Sequence, residues 1–171
     1  VLFEVKMRWG IPGLKEPFPD ICVIPGVRET EIAGASFDVK KYGTRPCLIV
    51  EVVSPRYIGD DTAKVDIYEQ AGVQEYIIVN PHTENKTLPF DLTGYRLVRG
   101  KYREISPDSE GRLLSETTGL LFASDESERK IVVTGNVSGE RLLSNKEEIF
   151  AREDAEVRAE QEARAREDAE V

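Results

Sequence analysis

The chain has a single histidine (His82), two cysteines, one tryptophan and one methionine among its 171 residues. One histidine cannot furnish a multi-histidine zinc site, and His82 follows Asn80-Pro81 in a turn-like stretch that suggests no role for it. Cys22 and Cys47 are too few for a disulfide scaffold, lack metal-type spacing and sit in apolar runs, where small core residues belong. No apolar run approaches the ~20 residues of a membrane-spanning helix, so no membrane partner is expected. A secretory signal is also missing, and the cytoplasm is the expected location. The chain starts at Val1 rather than a methionine and is read as a piece of a longer protein.

Positive charge is in deficit as well: 23 Lys/Arg stand against 32 Asp/Glu, a net −9. The excess is uneven. Residues 146–171 hold five Lys/Arg and ten Asp/Glu, leaving the body (1–145) at only −4. A balance that mild neither selects nor excludes a DNA partner.

What is abundant at the C-terminus is alanine, glutamate and arginine without a breaker. AREDAEV at 151–157 recurs at 165–171, a period of 14 residues or two heptads. Good helix formers and four-residue charge spacings (Glu148–Arg152, Glu162–Arg166) predict a charged helix over 146–171. Its seam is nearly all alanine, poor for a coiled coil, so a solvated helix with some capacity to self-associate or to bind a protein partner is the expectation. The repeat is cut short at Val171, and further copies are expected beyond it.

In the body, CLIVEVV (47–53) is almost uniformly apolar, bounded by Pro46 and Ser54-Pro55, and reads as a central strand buried on both faces. ICVI (21–24) and YIIVN (76–80) are strands of the same kind. Residues 62–71 form a helix, with Asp60 or Asp61 as N-cap and Gly72 as terminator. Strand, helix and strand make the 47–53 and 76–80 pair parallel through a right-handed crossover, with 21–24 as the antiparallel neighbour. VLFEVKMRW (1–9) alternates as another strand. GYRLVRG (94–100) and KYREI (101–105) form a hairpin, and LLF (120–122) and KIVV (130–133) add edge strands. The class is α/β: a mixed β-sheet core flanked by helices, with an antiparallel extension.

Glu51 is out of place in so apolar a strand. A bare carboxylate there costs several kcal/mol, so it is either protonated or paired with a cation. One reading gives it a structural arginine; the other gives it a function. Asp20 opens the neighbouring strand, and antiparallel neighbours lie ~5 Å apart, so Asp20 and Glu51 can share a hard divalent ion if the register allows. Taken alone, Asp20 is also an ordinary turn-capping aspartate after proline. Lys64 shares a helix face with Ile67, Tyr68 and Ala71, which must look inward, so it is carried over the strand that bears Glu51. A snorkelling lysine at a helix start is the plainer alternative.

PDICVI (19–24), LIVEVVSP (48–55), the Asp60, Lys64, Tyr68 spacing and AGVQEYIIVNP (71–81) resemble the Uma-two family of restriction-endonuclease-like proteins, in the PD-(D/E)xK nuclease superfamily. GYRLVRGKY (94–102), SETTGLLF (115–122) and the tail are similar to the same family's C-terminal half. The resemblance implies a restriction-endonuclease-like fold over 1–145, with residues 146–171 as an appended coiled-coil-like helix. It places Asp20 and Glu51 at the two acidic motif positions. Val53 stands where the usual motif lysine would be, and Lys64 of the following helix takes that part. Asn80 departs from the aspartate common before that proline. A glutamate-bearing N-terminal helix frequent in the superfamily is not in this chain, and its loss would weaken activity.

The implied activity is a Mg²⁺-dependent (or Mn²⁺-dependent) endonuclease acting on DNA. Asp20, Glu51 and the Val52 carbonyl would hold the metal, and Asp20, Glu51 and Lys64 would form the catalytic set. Ser54, Arg56 and Tyr57 are candidates for backbone contacts. A homodimer is expected, since cutting both strands of a duplex uses two sites. Three alternatives stay open: a degenerate fold kept as an interaction or scaffold module, an enzyme acting on RNA or another phosphodiester, and a polar network that only rigidifies the sheet.

Overall fold

In a computed structural model of the chain, the described residues are 1–28, 36–54, 60–81 and 90–144, with 147–149, 152, 155, 156 and 158 in the tail; residues 60–62 are described by backbone alone. Two compact units are present, Val1–Gly139 and Glu140–Val171.

The first unit is built on a six-stranded mixed sheet. Its strands are β1 (Leu2–Phe3), β3 (Ile21–Val23), β5 (Leu48–Val52), β6 (Glu75–Asn80), β7 (Asp91–Val98) and β8 (Lys101–Glu104), adjacent in that order. The central pair, β5 and β6, is parallel and buried on both faces, which is why both read as unbroken apolar runs rather than alternating ones. β3 pairs antiparallel with β5, as the expected topology requires. The connection from β5 to β6 runs through α2 (Asp60–Ala71). Gly72, at φ 74°, ends that helix: its amide donates to Glu69 O and the Val73 amide to Tyr68 O, both at 3.0 Å. This Schellman arrangement satisfies the last carbonyls and needs the left-handed conformation that glycine adopts without a Cβ clash. The N-cap expected at Asp60 or Asp61 concerns side chains outside the described residues.

Each sheet face carries its own core. On one, Ile49, Tyr76 and Ile78 meet Tyr68 and Ala71 of α2, with Trp9 and Met7 from the N-terminal segment. On the other, Leu48, Val50, Ile77 and Val79 meet Leu113 and Phe122. These last two belong to a separate antiparallel sheet of β9 (Leu113–Ser115), β10 (Leu120–Asp125) and β11 (Lys130–Gly135). Segments 120–122 and 130–133 are therefore strands, as expected, but they form a covering sheet rather than edges of the main one. Leaving β5 and β6 open on that face would expose four large aliphatic side chains to water, and β9 and β10 remove them from it.

Residues 1–9 are not one strand. Glu4 adopts φ 49° and breaks the run into β1 and β2 (Lys6–Arg8). β1 joins the main sheet, whereas β2 pairs in parallel with β4 (Ser36–Asp38), a short strand that no apolar periodicity announces. β4 leads into α1 (Val39–Tyr42), capped by Asp38 Oδ1, which accepts from the Lys41 amide at 3.0 Å.

A second buried carboxylate ties the two sheets together. Glu75, fully buried at the start of β6, accepts from Ser115 Oγ (2.6 Å), Thr117 Oγ1 (2.7 Å), the Glu116 amide (3.0 Å) and Arg96 Nε (2.8 Å). Burial alone would raise its pKa, but the hydrogen bonds from Ser115, Thr117 and Arg96 outweigh it and hold the carboxyl below the usual range.

In the second unit, Ser144 and Glu147 form a capping box. The Glu147 amide donates to Ser144 Oγ (3.3 Å), and Glu147 Oε2 accepts from the Ser144 amide (2.8 Å). Helix follows at every described position after it. Among the described residues, Arg152 pairs forward with Glu156 (3.4 Å) rather than back with Glu148, and both partners are largely exposed. The expected Glu162–Arg166 pair lies outside the described residues.

Candidate active site

The register of β3 against β5 sets Ile21 opposite Val50, and one residue further places Asp20 opposite Glu51. Directly opposed residues of an antiparallel pair project from the same face. That face is the one α2 covers, so Asp20, Glu51 and the helix converge where β3 begins and β5 ends.

Asp20 reaches across rather than capping its own turn: its Oδ2 accepts from the Val52 amide at 2.7 Å. The next amide, Val53 N, donates the opposite way to Val79 O at 2.9 Å. In a trans peptide the preceding carbonyl opposes that N–H, so the Val52 carbonyl points toward the Asp20 side. Two carboxylates and a backbone carbonyl are thus gathered at one strand end.

Glu51 is only 4% exposed. Its Oε2 accepts from Lys64 Nζ at 3.0 Å and its Oε1 from the Tyr68 hydroxyl at 2.5 Å. The cation that the strand demanded is therefore a lysine from α2, not an arginine. Burial pushes the Glu51 carboxyl above its ordinary pKa; the Tyr68 and Lys64 hydrogen bonds and the Lys64 charge pull it down, and nearby Asp20 pushes it up again. The Tyr68 phenol is also driven up, first by burial and then by the Glu51 charge, so it stays a donor at any ordinary pH. Its ring is held edge-on by Trp9 (6.1 Å between centroids) and Tyr76 (4.9 Å).

Tyr68 is the residue that sequence reasoning missed. The sequence places it on the inward face and within the Asp60, Lys64, Tyr68 spacing without giving it a role of its own, although a tyrosine one turn beyond Lys64 on the same face is itself a signal. Of the other residues considered, Ser54 is exposed past the end of β5, and Asn80 closes β6 opposite Asp91. Cys22 is buried, with its thiol raised to about 11 chiefly by burial, and among the described residues it belongs to no group of three or more His, Cys, Asp or Glu that could hold a metal. Arg56, Tyr57 and His82 lie outside the described residues.

The donor chemistry suits a hard divalent cation. Mg²⁺ prefers one or two carboxylate oxygens with water and substrate oxygens making up the rest, and Asp20, Glu51 and the Val52 carbonyl offer that set. Among the described residues no cluster of three or more His, Cys, Asp or Glu side chains forms a metal cage. A two-carboxylate corner is therefore the available kind of site. Beside it opens a cleft of about 450 Å³ lined by Lys15, Glu16, Pro17, Phe18, Lys64 and Ile67.

A sequence model of the Uma2 family, described as "Putative restriction endonuclease", matches residues 1–124, most of the chain and all of this corner. The chain belongs to the Uma2 family. Its mixed sheet with α2 on one face is the restriction-endonuclease-like fold that such membership implies. No curated protein and no solved structure shows a significant match to the chain. Among the described residues, no helix is long and apolar enough to cross a membrane.

Proposed function

We propose that this Uma2 protein is a metal-dependent endonuclease that hydrolyses phosphodiester bonds in DNA, with Asp20, Glu51 and Lys64 as its catalytic set. The observation that carries the reading is the meeting of an inward lysine with two opposed carboxylates at one strand end, in a family of the nuclease type. Purely structural ion pairs need no second carboxylate across the strand. Mg²⁺, or Mn²⁺ in its place, would be held by Asp20, Glu51 and the Val52 carbonyl. Such an ion supplies charge stabilisation on the scissile phosphate and a more acidic bound water.

The protein's own groups divide the remaining work. Asp20, accepting from the Val52 amide, ties the start of β3 to the end of β5. Tyr68 holds one Glu51 oxygen and thereby sets the carboxylate plane, leaving the other toward Lys64. Lys64, only partly buried, is positioned to orient a water or neutralise charge developing on phosphate. Two copies would serve a duplex, and the charged tail offers a surface for pairing or for another protein.

A second reading has its own support: both Glu51 oxygens are engaged by side chains of this chain, as in a degenerate nuclease fold kept as a scaffold. The deciding experiment is cleavage of supercoiled plasmid and single-stranded DNA with Mg²⁺ or Mn²⁺, comparing wild type with Glu51→Ala and Lys64→Ala. Metal-dependent nicking lost in both variants supports the enzyme. A folded, inert wild type favours the scaffold, and variants that cut as well as it does overturn the catalytic assignment of Glu51 and Lys64.

A further inference from the structure

Phe18 is 55% exposed, two residues before Asp20. Its backbone is not loose. Pro17 and Pro19 flank it, restricting both Phe18 and its neighbours to extended conformations. The segment is also pinned along its length: Trp9 Nε1 donates to Lys15 O (3.0 Å), the Met7 amide to Pro17 O (2.9 Å) and the Glu4 amide to Pro19 O (3.2 Å). An aromatic ring is thus presented to solvent on a rigid bracket.

The ring lines a cleft that Lys64 and Ile67 of α2 also line, so the cleft reaches the lysine of the proposed catalytic corner. Its about 450 Å³ falls in the range of roughly 300–1,000 Å³ typical of small-ligand sites. Lys15 contributes an exposed ammonium with no ion pair among the described residues. Glu16, the acidic lining residue, is engaged by Lys6 at 3.4 Å, which blunts its repulsion of an anion.

We infer that Phe18 and Lys15 form a nucleotide subsite: the ring stacks on an unpaired base, and the ammonium takes a phosphate of the strand being cut at the neighbouring corner. The inference rests on the nuclease reading and adds a substrate preference to it. Bases inside a duplex are already covered on both faces, so a fixed aromatic ring can stack only on a base in single-stranded, flapped or frayed DNA. Base–aromatic stacking and a basic track are the two means by which proteins hold single strands irrespective of sequence.

The test is fluorescence anisotropy of a labelled single-stranded oligonucleotide and of its duplex, without divalent metal so that nothing is cut. The full chain is compared with Phe18→Ala, Phe18→Trp, Lys15→Ala and Glu51→Ala. The expected result is roughly tenfold weaker single-strand binding in Phe18→Ala, retention in Phe18→Trp and little change for duplex. Lys15→Ala should also weaken binding and reduce the salt slope by about 0.7, the value of one phosphate contact on a single strand. Because Phe18 and Lys15 are exposed, circular dichroism should show the variants at these two positions folded as wild type. Single-strand binding that is absent in wild type, or unchanged in Phe18→Ala, overturns the subsite. Cleavage of the same oligonucleotide with Mg²⁺, compared between wild type and Glu51→Ala, tests the nuclease reading in a separate assay, so failure of one is distinguishable from failure of the other.

Discussion

Glu51 sits where its charge is disfavoured, and that sets the sign of its contribution to stability. Its folded pKa is raised, mainly by burial, so the folded state holds a proton that the unfolded chain has already lost as pH rises through the carboxylate range. Its ionisation therefore weakens the fold from the ordinary carboxylate pKa upward. Glu51→Gln should melt no lower than wild type at pH 7, and the gap should narrow as pH falls below the carboxylate range. Thermal melts across that interval measure it. Tyr68→Phe tests the other half of the arrangement. Losing the buried hydroxyl leaves Glu51 Oε1 unsatisfied, at a cost of about 1–3 kcal/mol. It also removes a bond that lowers the Glu51 pKa, so the acid limb of the cleavage rate should move to higher pH. A pH–rate profile with an unmoved acid limb would show that ionised Glu51 is not what cleavage requires.

At the scale of elements, the covering sheet is latched by the carboxylate at the head of β6. Glu75 joins β6 to Arg96 of β7 and to Ser115 and Thr117 at the end of β9, so one group spans both sheets. Its pKa is depressed in the fold, which reverses the sign found for Glu51. The latch contributes fully above the ordinary carboxylate pKa and is lost as pH falls through the lowered one. Ser115→Ala should cost about 1–3 kcal/mol near neutrality, since it leaves a buried charge short of a donor. Chemical denaturation at neutral and acidic pH should show that penalty shrinking as Glu75 protonates. Gly94 of β7 is a packing case of another kind. A Cβ there would meet Ile105 Cδ1 at 3.2 Å and Leu113 Cδ1 at 3.3 Å, so Gly94→Ala requires both side chains to give by a few tenths of an ångström; a lower melting temperature is expected if the filled core resists, and an unchanged one would show that it yields.

For the whole molecule, charge and chain divide in the same place. Over half of the net negative charge lies in residues 146–171, while the proposed site lies within Val1–Gly139. Removing residues 140–171 should leave the first unit folded and tighten its binding to single-stranded oligonucleotide at low salt, because a polyanionic appendage no longer repels the strand. Anisotropy at two salt concentrations measures this; equal affinity with and without the tail would mean that the acidic helix exerts no such field. The mixed-sheet core was legible because a parallel pair buried on both faces leaves an apolar signature bounded by proline or glycine, whereas its restriction-endonuclease-like character was legible only through the family resemblance.

By itself the sequence determined the central strands, the helix between them, the pairing of β3 with β5 and the charged residues that could not stay bare in apolar surroundings. Those features depend on local pattern and on the cost of burying charge, both of which are written residue by residue. Only the tertiary structure decided what the pattern leaves undetermined. Glu4 turns one apparent strand into two, because alternation cannot report a left-handed backbone angle. The late strands cover the sheet instead of edging it, since a strand's sequence specifies a buried face but not its partner. Tyr68 proved to hold Glu51, because whether an inward tyrosine packs or donates depends on where its hydroxyl ends, and that is settled by the docking of α2 on β5.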